Sequence, residues 1–231
     1  MRRILLVILS LCLRLSTAAS NGKSPEEKIG QGVKVHVRVL YDSTYEKLYL
    51  QKGDPKTEKD SEGKDSTLEN FRRLFNAVEK HFNNQSVMIN VQVVSVEKND
   101  SFGIFFEAGE ALDGHKTLQK LAADAKSTNR TNDTVDCLFT TREILVENSR
   151  GDQVPRSLPD LASTGTLCSE NASVAIVRGY HPRWPLWNTV EAIAHIIGSN
   201  TYRRFPPWER TKMKEVFSRC YNNTQEVVLD S

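Results

Sequence analysis

The sequence predicts an α/β protein: a mostly parallel, twisted sheet with long helices packed on it and a small helical part towards the C-terminus. Three observations carry this. The segment VKVHVRVL, residues 33–40, alternates apolar and polar side chains strictly, as a half-buried strand does. The segment TLENFRRLFNAVEKHF spaces Leu68, Phe71, Phe75, Val78 and Phe82 three and four residues apart, the period of one helical face. Strand-like and helix-like segments then alternate to the end of the chain with no internal repeat, the order expected of a layered α/β domain.

Taken in order, a short polar linker (20–32) precedes the first strand, and His36 falls on that strand's polar, solvent-facing side. The stretch KGDPKTEKDSEGKDS is charged and rich in Gly and Lys, so it reads as a loop, with Ser66 or Asp65 capping the first helix. SVMINVQVVSVE (86–97) returns to strand character. A second helix over 110–126 would turn Leu112, Leu118, Leu121 and Ala122 inward. Residues 135–141 form a further strand and 174–177 another apolar segment. WPLWNTVEAIAHIIG makes the third helix and PPWERTKMKEVFSRC the fourth. In the fourth, Pro207 suits the first helical position, and Met213, Val216, Phe217 and Cys220 share a face. The expected domain covers 33–222, with a tail over 223–231.

The first residues set the expected compartment. MRRILLVILSLCLRLSTAAS has a basic start, an apolar core too short to span a bilayer, and small residues at Thr17, Ala18 and Ala19, so 1–19 reads as a signal peptide. The whole chain holds 31 basic and 29 acidic residues in 231. Arg2, Arg3 and Arg14 leave with the leader, so 28 basic residues face 29 acidic ones. A near-neutral chain gives no reason to expect nucleic acid or an anionic membrane as partner. Six sequons, at Asn84, Asn99, Asn129, Asn132, Asn171 and Asn222, fit a glycosylated extracellular surface. Cys12 also leaves with the leader. Cys137 sits in the apolar run VDCLFTT and is expected buried and free, which makes Cys168 and Cys220 the natural disulfide pair.

The stretch NTVEAIAHIIGSN places one histidine in an apolar helix that ends at a glycine. Together with STGTLC upstream, the preceding edge segment SVAIV and the strand DCLFTTREI, it gives the chain an order of parts that resembles the metalloprotease domain of the reprolysin (adamalysin-like) metzincins. The likeness runs from Val33 to Cys220 and is nearest to secreted forms from the salivary glands of blood-feeding ticks. It implies the pattern HExxHxxGxxH. There, two histidines one helical turn apart hold zinc, the Glu between them polarises water, and Gly turns the chain so that a third His returns to the metal. Against that pattern, His195 takes the second ligand position and Gly198 the turn. Glu191 stands at the first ligand position, Ala192 at the base and Thr201 at the third ligand position. A methyl group accepts no proton, and general-base catalysis of this kind is worth about 10²–10⁴-fold. Met213, the one methionine after His195, falls inside a helical pattern rather than the family's turn. His81 ends a helix, His115 follows a glycine in a loop, and His181 lies in the GYHPRWP loop, from which it could approach the helix.

The resemblance therefore implies a secreted, monomeric pseudoprotease with no zinc and no catalytic residues, one that acts by binding host proteins of haemostasis, inflammation or vascular repair. Tyr180, Trp184, Trp187 and Trp208, with Phe205, are the candidate anchors, and core packing is their alternative role. Two other readings stay open. One is a zinc endopeptidase that uses Glu191, His195 and one distant residue. The other is a glycosylated decoy without a binding cleft.

Overall fold

The computed structural model describes residues 26–50, 63–106, 109–128, 130–147, 155–180 and 185–229. The proposed leader, most of the charged loop after the first strand, and Asn129, His181 and Trp184 lie outside the described residues, as does the side chain of Asn222.

The first strand, β1 (Lys34–Tyr41), runs parallel to β2 (Asn90–Lys98) on one side and to β4 (Thr134–Thr140) on the other. Beyond β4 come β8 (Ser173–Arg178), also parallel, and β7 (Asp160–Ala162), which pairs antiparallel with β8. The sheet order is β2-β1-β4-β8-β7, so the fold is mixed α/β on a mostly parallel sheet. A small second sheet joins β3 (Leu112–Asp113), β5 (Ile144–Val146) and β6 (Arg156–Leu158).

Parallel strands need long crossovers, and helices supply them on both faces. Helix α1 (Gly63–Asn83) links β1 to β2, and α2 (Gly114–Ser127) leads towards β4. Helix α3 (Leu186–Ile196) and helix α4 (Pro207–Leu229) follow the sheet. The period of two in each strand decides which helix a side chain meets. Val35, Val37 and Val39 of β1, Val135, Cys137 and Phe139 of β4, and Ala175 and Val177 of β8 face a core shared with Phe71, Phe75, Val78 and Phe82 of α1, Ile193 and Ile196 of α3, and Met213 and Phe217 of α4. The intervening Leu40, Leu138, Val174 and Ile176 meet Leu112 and Leu121 under α2.

Several expectations change here. The polar side of β1 faces the α2 layer rather than open water. His36 is 28% exposed with its Nδ1 3.1 Å from Asp133, and Arg38 is 14% exposed. Arg38 reaches Asp124 at 3.0 Å and Glu97 at 3.2 Å, and with Arg130 it flanks the buried Asp136. Burial raises the Asp136 carboxyl, and the two guanidiniums pull it back. The second helix starts at Gly114, not near 110, because Leu112 and Asp113 join β3 and Asp113 Oδ1 caps the helix by accepting from Lys116 N–H at 3.0 Å. His115 consequently sits in the first turn of α2, not in a loop. Helix α1 begins at Gly63, so neither Asp65 nor Ser66 is its cap. SVAIV is an inner strand with β7 outside it, which explains why Ser173 to Val177 are all buried. The last helix runs to Leu229, past the expected boundary at 222.

The Cys168–Cys220 disulfide forms, with Cα atoms 5.0 Å apart, and ties the segment before β8 to α4. Cys137 is free and buried in β4. Among the described residues no helix is long and apolar enough to cross a membrane.

Replacing Cys168 and Cys220 together by alanine should lower the unfolding free energy by about 4 kcal/mol, the closure entropy of a loop this long. Denaturant melts with and without reductant check this: the wild type should fall to the variant's midpoint when reduced, and the variant should not move.

Candidate functional site

Helix α3 is held in place by its apolar side. Val190, Ala192, Ile193, Ala194 and Ile196 are buried, and the helix lies against β7 and β8. Thr189 Oγ donates to Pro185 O at 2.7 Å and Asn188 Nδ2 to Arg178 O at 2.7 Å, which fixes the first turn although Pro185 offers no side-chain cap. Glu191 and His195 stand one turn apart on the half-buried side of the helix.

The helix ends in a Schellman turn. Gly198, at φ +92°, lets its own N–H donate to His195 O at 2.9 Å while Ser199 N–H donates to Ala194 O at 2.8 Å. A Cβ at Gly198 would stand 2.8 Å from Val216 Cγ2, so both backbone and packing require glycine. The next residues are clamped from α4. The buried Glu209 carboxylate accepts from Asn200 N–H at 2.7 Å, Ser199 Oγ at 3.0 Å and Lys212 Nζ at 2.9 Å. Burial alone would raise this carboxyl, but the Lys212, Asn200 and Ser199 bonds together hold it below the usual range. Thr201 spends its hydroxyl inside the same turn, donating to Arg204 O at 2.8 Å.

The five family positions therefore separate. Glu191 and His195 share a face, and Gly198 makes the turn. Ala192 is fully buried in the main core, and Thr201 is engaged within its own loop. The base position thus looks into apolar side chains. The donor set on this helix is two groups, short of the three protein ligands of a catalytic zinc, and among the described residues no three His, Cys, Asp or Glu side chains are grouped to hold a metal. Glu191 and His195 alone do not make the ligand set of the HExxHxxGxxH pattern.

A second acid lies within electrostatic reach of Glu191, one with no signal in the sequence. Asp160, in the three-residue edge strand β7, is 6% exposed. Burial pushes its carboxyl up to about 8, and the nearby Glu191 charge adds to the rise. Glu191 is itself raised by burial, with His195 and Arg203 pulling the other way. A strand this short gives no pattern from which a buried acid could be recognised. Glu209 did carry a signal, an acid in the first turn of a helix opened by Pro207.

The candidate anchors divide as well. Phe205 is 3% exposed and stacks on Phe82 at 5.4 Å, so it belongs to the core. Tyr180 is exposed with the Arg178 guanidinium 4.6 Å from its ring centre. Trp187, on the first turn of α3, and Trp208, on the first turn of α4, are 48% and 65% exposed. Of the sequons, Asn84, Asn132 and Asn171 are exposed, and the last two line one polar groove of about 190 Å³ with Lys126, Arg130 and Asp136. Asn99 is half-buried, its Oδ1 accepting from Ser101 N–H at 2.9 Å.

The raised Asp160 carboxyl binds its proton more tightly folded than unfolded, so it contributes stability fully present below about pH 4 and lost as pH rises towards 8. Asp160→Asn should melt several degrees higher than wild type at pH 8 and converge with it near pH 4. Thermal melts across that window check the sign, and a variant that melts lower at pH 8 would refute it.

No known protein-family profile matches the chain, and comparison with curated proteins returns no match. Among solved structures, the chain is similar to metalloproteinase-II from Bacteroides fragilis, with 11% identity, a TM-score of 0.45, and coverage of 83% of this chain and 55% of that one. It is also similar to an archaemetzincin from Methanopyrus kandleri, at 8% identity and TM-score 0.39 over 85% of this chain and 99% of that one. A chain from a chaperone–substrate complex is matched at 8% identity and TM-score 0.44 over 72% of this chain and 23% of its own length. The chain thus spans about a quarter and about half the length of two of these neighbours. Likenesses this remote say nothing about activity.

Proposed function

We propose that the protein is a secreted, glycosylated, metalloprotease-like domain that has lost catalysis and acts by binding extracellular proteins of a host. The observation that carries the inert reading is Ala192, which sits wholly within the core between Glu191 and the surviving His195. A carboxylate placed there would be stripped of water with no partner, a cost of several kcal/mol. The reprolysin-like order of parts and the short apolar leader support the family and the compartment.

The alternative is a zinc endopeptidase that uses Glu191, His195 and one distant residue; among the described residues no third His, Cys, Asp or Glu is grouped with those two.

The two readings separate on one preparation secreted from eukaryotic cells. The inert domain should emerge without stoichiometric zinc and should leave denatured protein substrates intact. Ala192→Glu should remain inactive and melt lower, because it buries a charge instead of restoring a base. One zinc per chain with chelator-sensitive cleavage, lost in His195→Ala, would overturn the proposal in favour of the atypical enzyme.

A further inference from the structure

We infer that the groove between the end of α1 and the loop 200–206 is a docking surface for an acidic polypeptide segment. This rests on the reading that the domain acts by binding, and it names the surface and the partner's chemistry. The groove holds about 960 Å³, room for a stretch of peptide and far more than a single ion needs. Its lining includes Asn84, Gln85, Tyr202, Arg203 and Arg204, over a floor at Phe205 and Pro206.

Three features point to an acidic occupant. The first is unbalanced charge. Arg203 and Arg204 are exposed and enter no ion pair among the described residues, whereas the one acid of the lining, Glu26, is 3.6 Å from the Arg210 guanidinium. Glu191 lies within electrostatic reach of Arg203 without pairing to it. The second is pre-organisation. The Arg203 guanidinium lies 5.9 Å from the Trp187 ring centre and 5.8 Å from the Tyr202 ring centre, so two aromatic rings flank it and narrow the positions from which it meets a carboxylate. The third is rigidity beneath exposure. His81 Nε2 lies 2.6 Å from Tyr202 O, His81 packs edge-on to Trp187 at 5.2 Å, and Arg210 donates to Gln85 O at 2.8 Å. Trp187 is therefore half-exposed on a fixed support, the setting in which a tryptophan contributes most to an interface.

The mixture of two cations with aromatic and apolar surface favours a peptide over a sulfated polysaccharide. A polyanion gains affinity by neutralising charge at many contacts, and two guanidiniums are few. Carboxylate side chains interleaved with aromatic or aliphatic ones match the lining better. A glycan on Asn84 would stand at the rim, so the surface is best measured without it.

The test uses secreted full-length protein carrying Asn84→Gln, with a fluorescein-labelled peptide of repeating Glu-Glu-Tyr as the probe and fluorescence anisotropy as the readout. Binding should weaken with added salt, and a Lys-Lys-Tyr peptide should not bind. Arg203→Glu with Arg204→Glu should weaken the Glu-Glu-Tyr complex by at least roughly tenfold, the effect expected of reversing contact charges. Trp187→Ala should weaken it by about fivefold or more. All three side chains are exposed, so unchanged circular dichroism and melting confirm that the fold is intact. No binding to the Glu-Glu-Tyr peptide, equal binding by the charge-reversed protein, or binding of a heparin oligosaccharide in its place would overturn the inference. Mass spectrometry of the recovered probe separates this from the reading beneath it: a cleaved peptide defeats the inert domain, and an intact but unbound one defeats only the docking surface.

Discussion

The ladder of β1, β4 and β8 exists only if both of its faces are covered, and the rest of the molecule follows from that requirement. Parallel strands bury both sides, so each needs apolar groups at odd and even positions alike. Here the odd positions of β1 are valines under α1, while the even ones become Arg38 and Leu40 under α2. Arg38 is tolerated inside the layer because Asp124, Glu97 and Asp136 surround it, and Asp136, buried, is shared between Arg38 and Arg130. The sheet, the two helical layers and the ion network are one structure and not three.

The same logic governs helix α3. In α3 the buried positions hold the helix against β7 and β8, and the two polar positions hold nothing in the core. Replacing Glu191 or His195 on the half-buried side would therefore leave the packing of the helix untouched. The turn that follows is fixed by contacts unrelated to metal binding: the positive φ of Gly198, the close approach of Val216, and the Glu209 carboxylate that gathers Ser199, Asn200 and Lys212. The packing side chains and the polar pair Glu191 and His195 thus lie on different faces of one helix, while Ala192 belongs to the packing face.

Much of this was legible in the sequence, and the parts that were not share a cause. The alternation in residues 33–40 and the spacing from Leu68 to Phe82 give β1 and α1 because their periods repeat several times. Strands β3, β5, β6 and β7 are two or three residues long, too short for a period to show, so the outer position fell to SVAIV and the second helix was started too early. Glu191 and His195 could be read from their spacing of four. The burial of Ala192 could not, because it depends on which side of α3 meets the sheet. Asp160 and Arg203 acquire meaning only through neighbours distant in sequence, β7 against α3 and the loop 200–206 against α3 and α1, whereas Trp187 stood out in the sequence and gains only its support from His81.

Strand β2 is the outer member of the sheet at one side, and an exposed outer strand is a template on which a second chain can pair. Its register with β1 slips between Val37 and Arg38, where Val93 pairs with Val37 and Ser95 with Arg38, leaving Val94 as an extra residue that is 52% exposed. A bulge of this kind bends the strand and breaks the even row of N–H and C=O groups that another strand would need. Glu97 and Lys98 at the far end add charge to the same border. The irregularity at Val94 thus makes this border a poor template for fibre-like stacking of one sheet on the next.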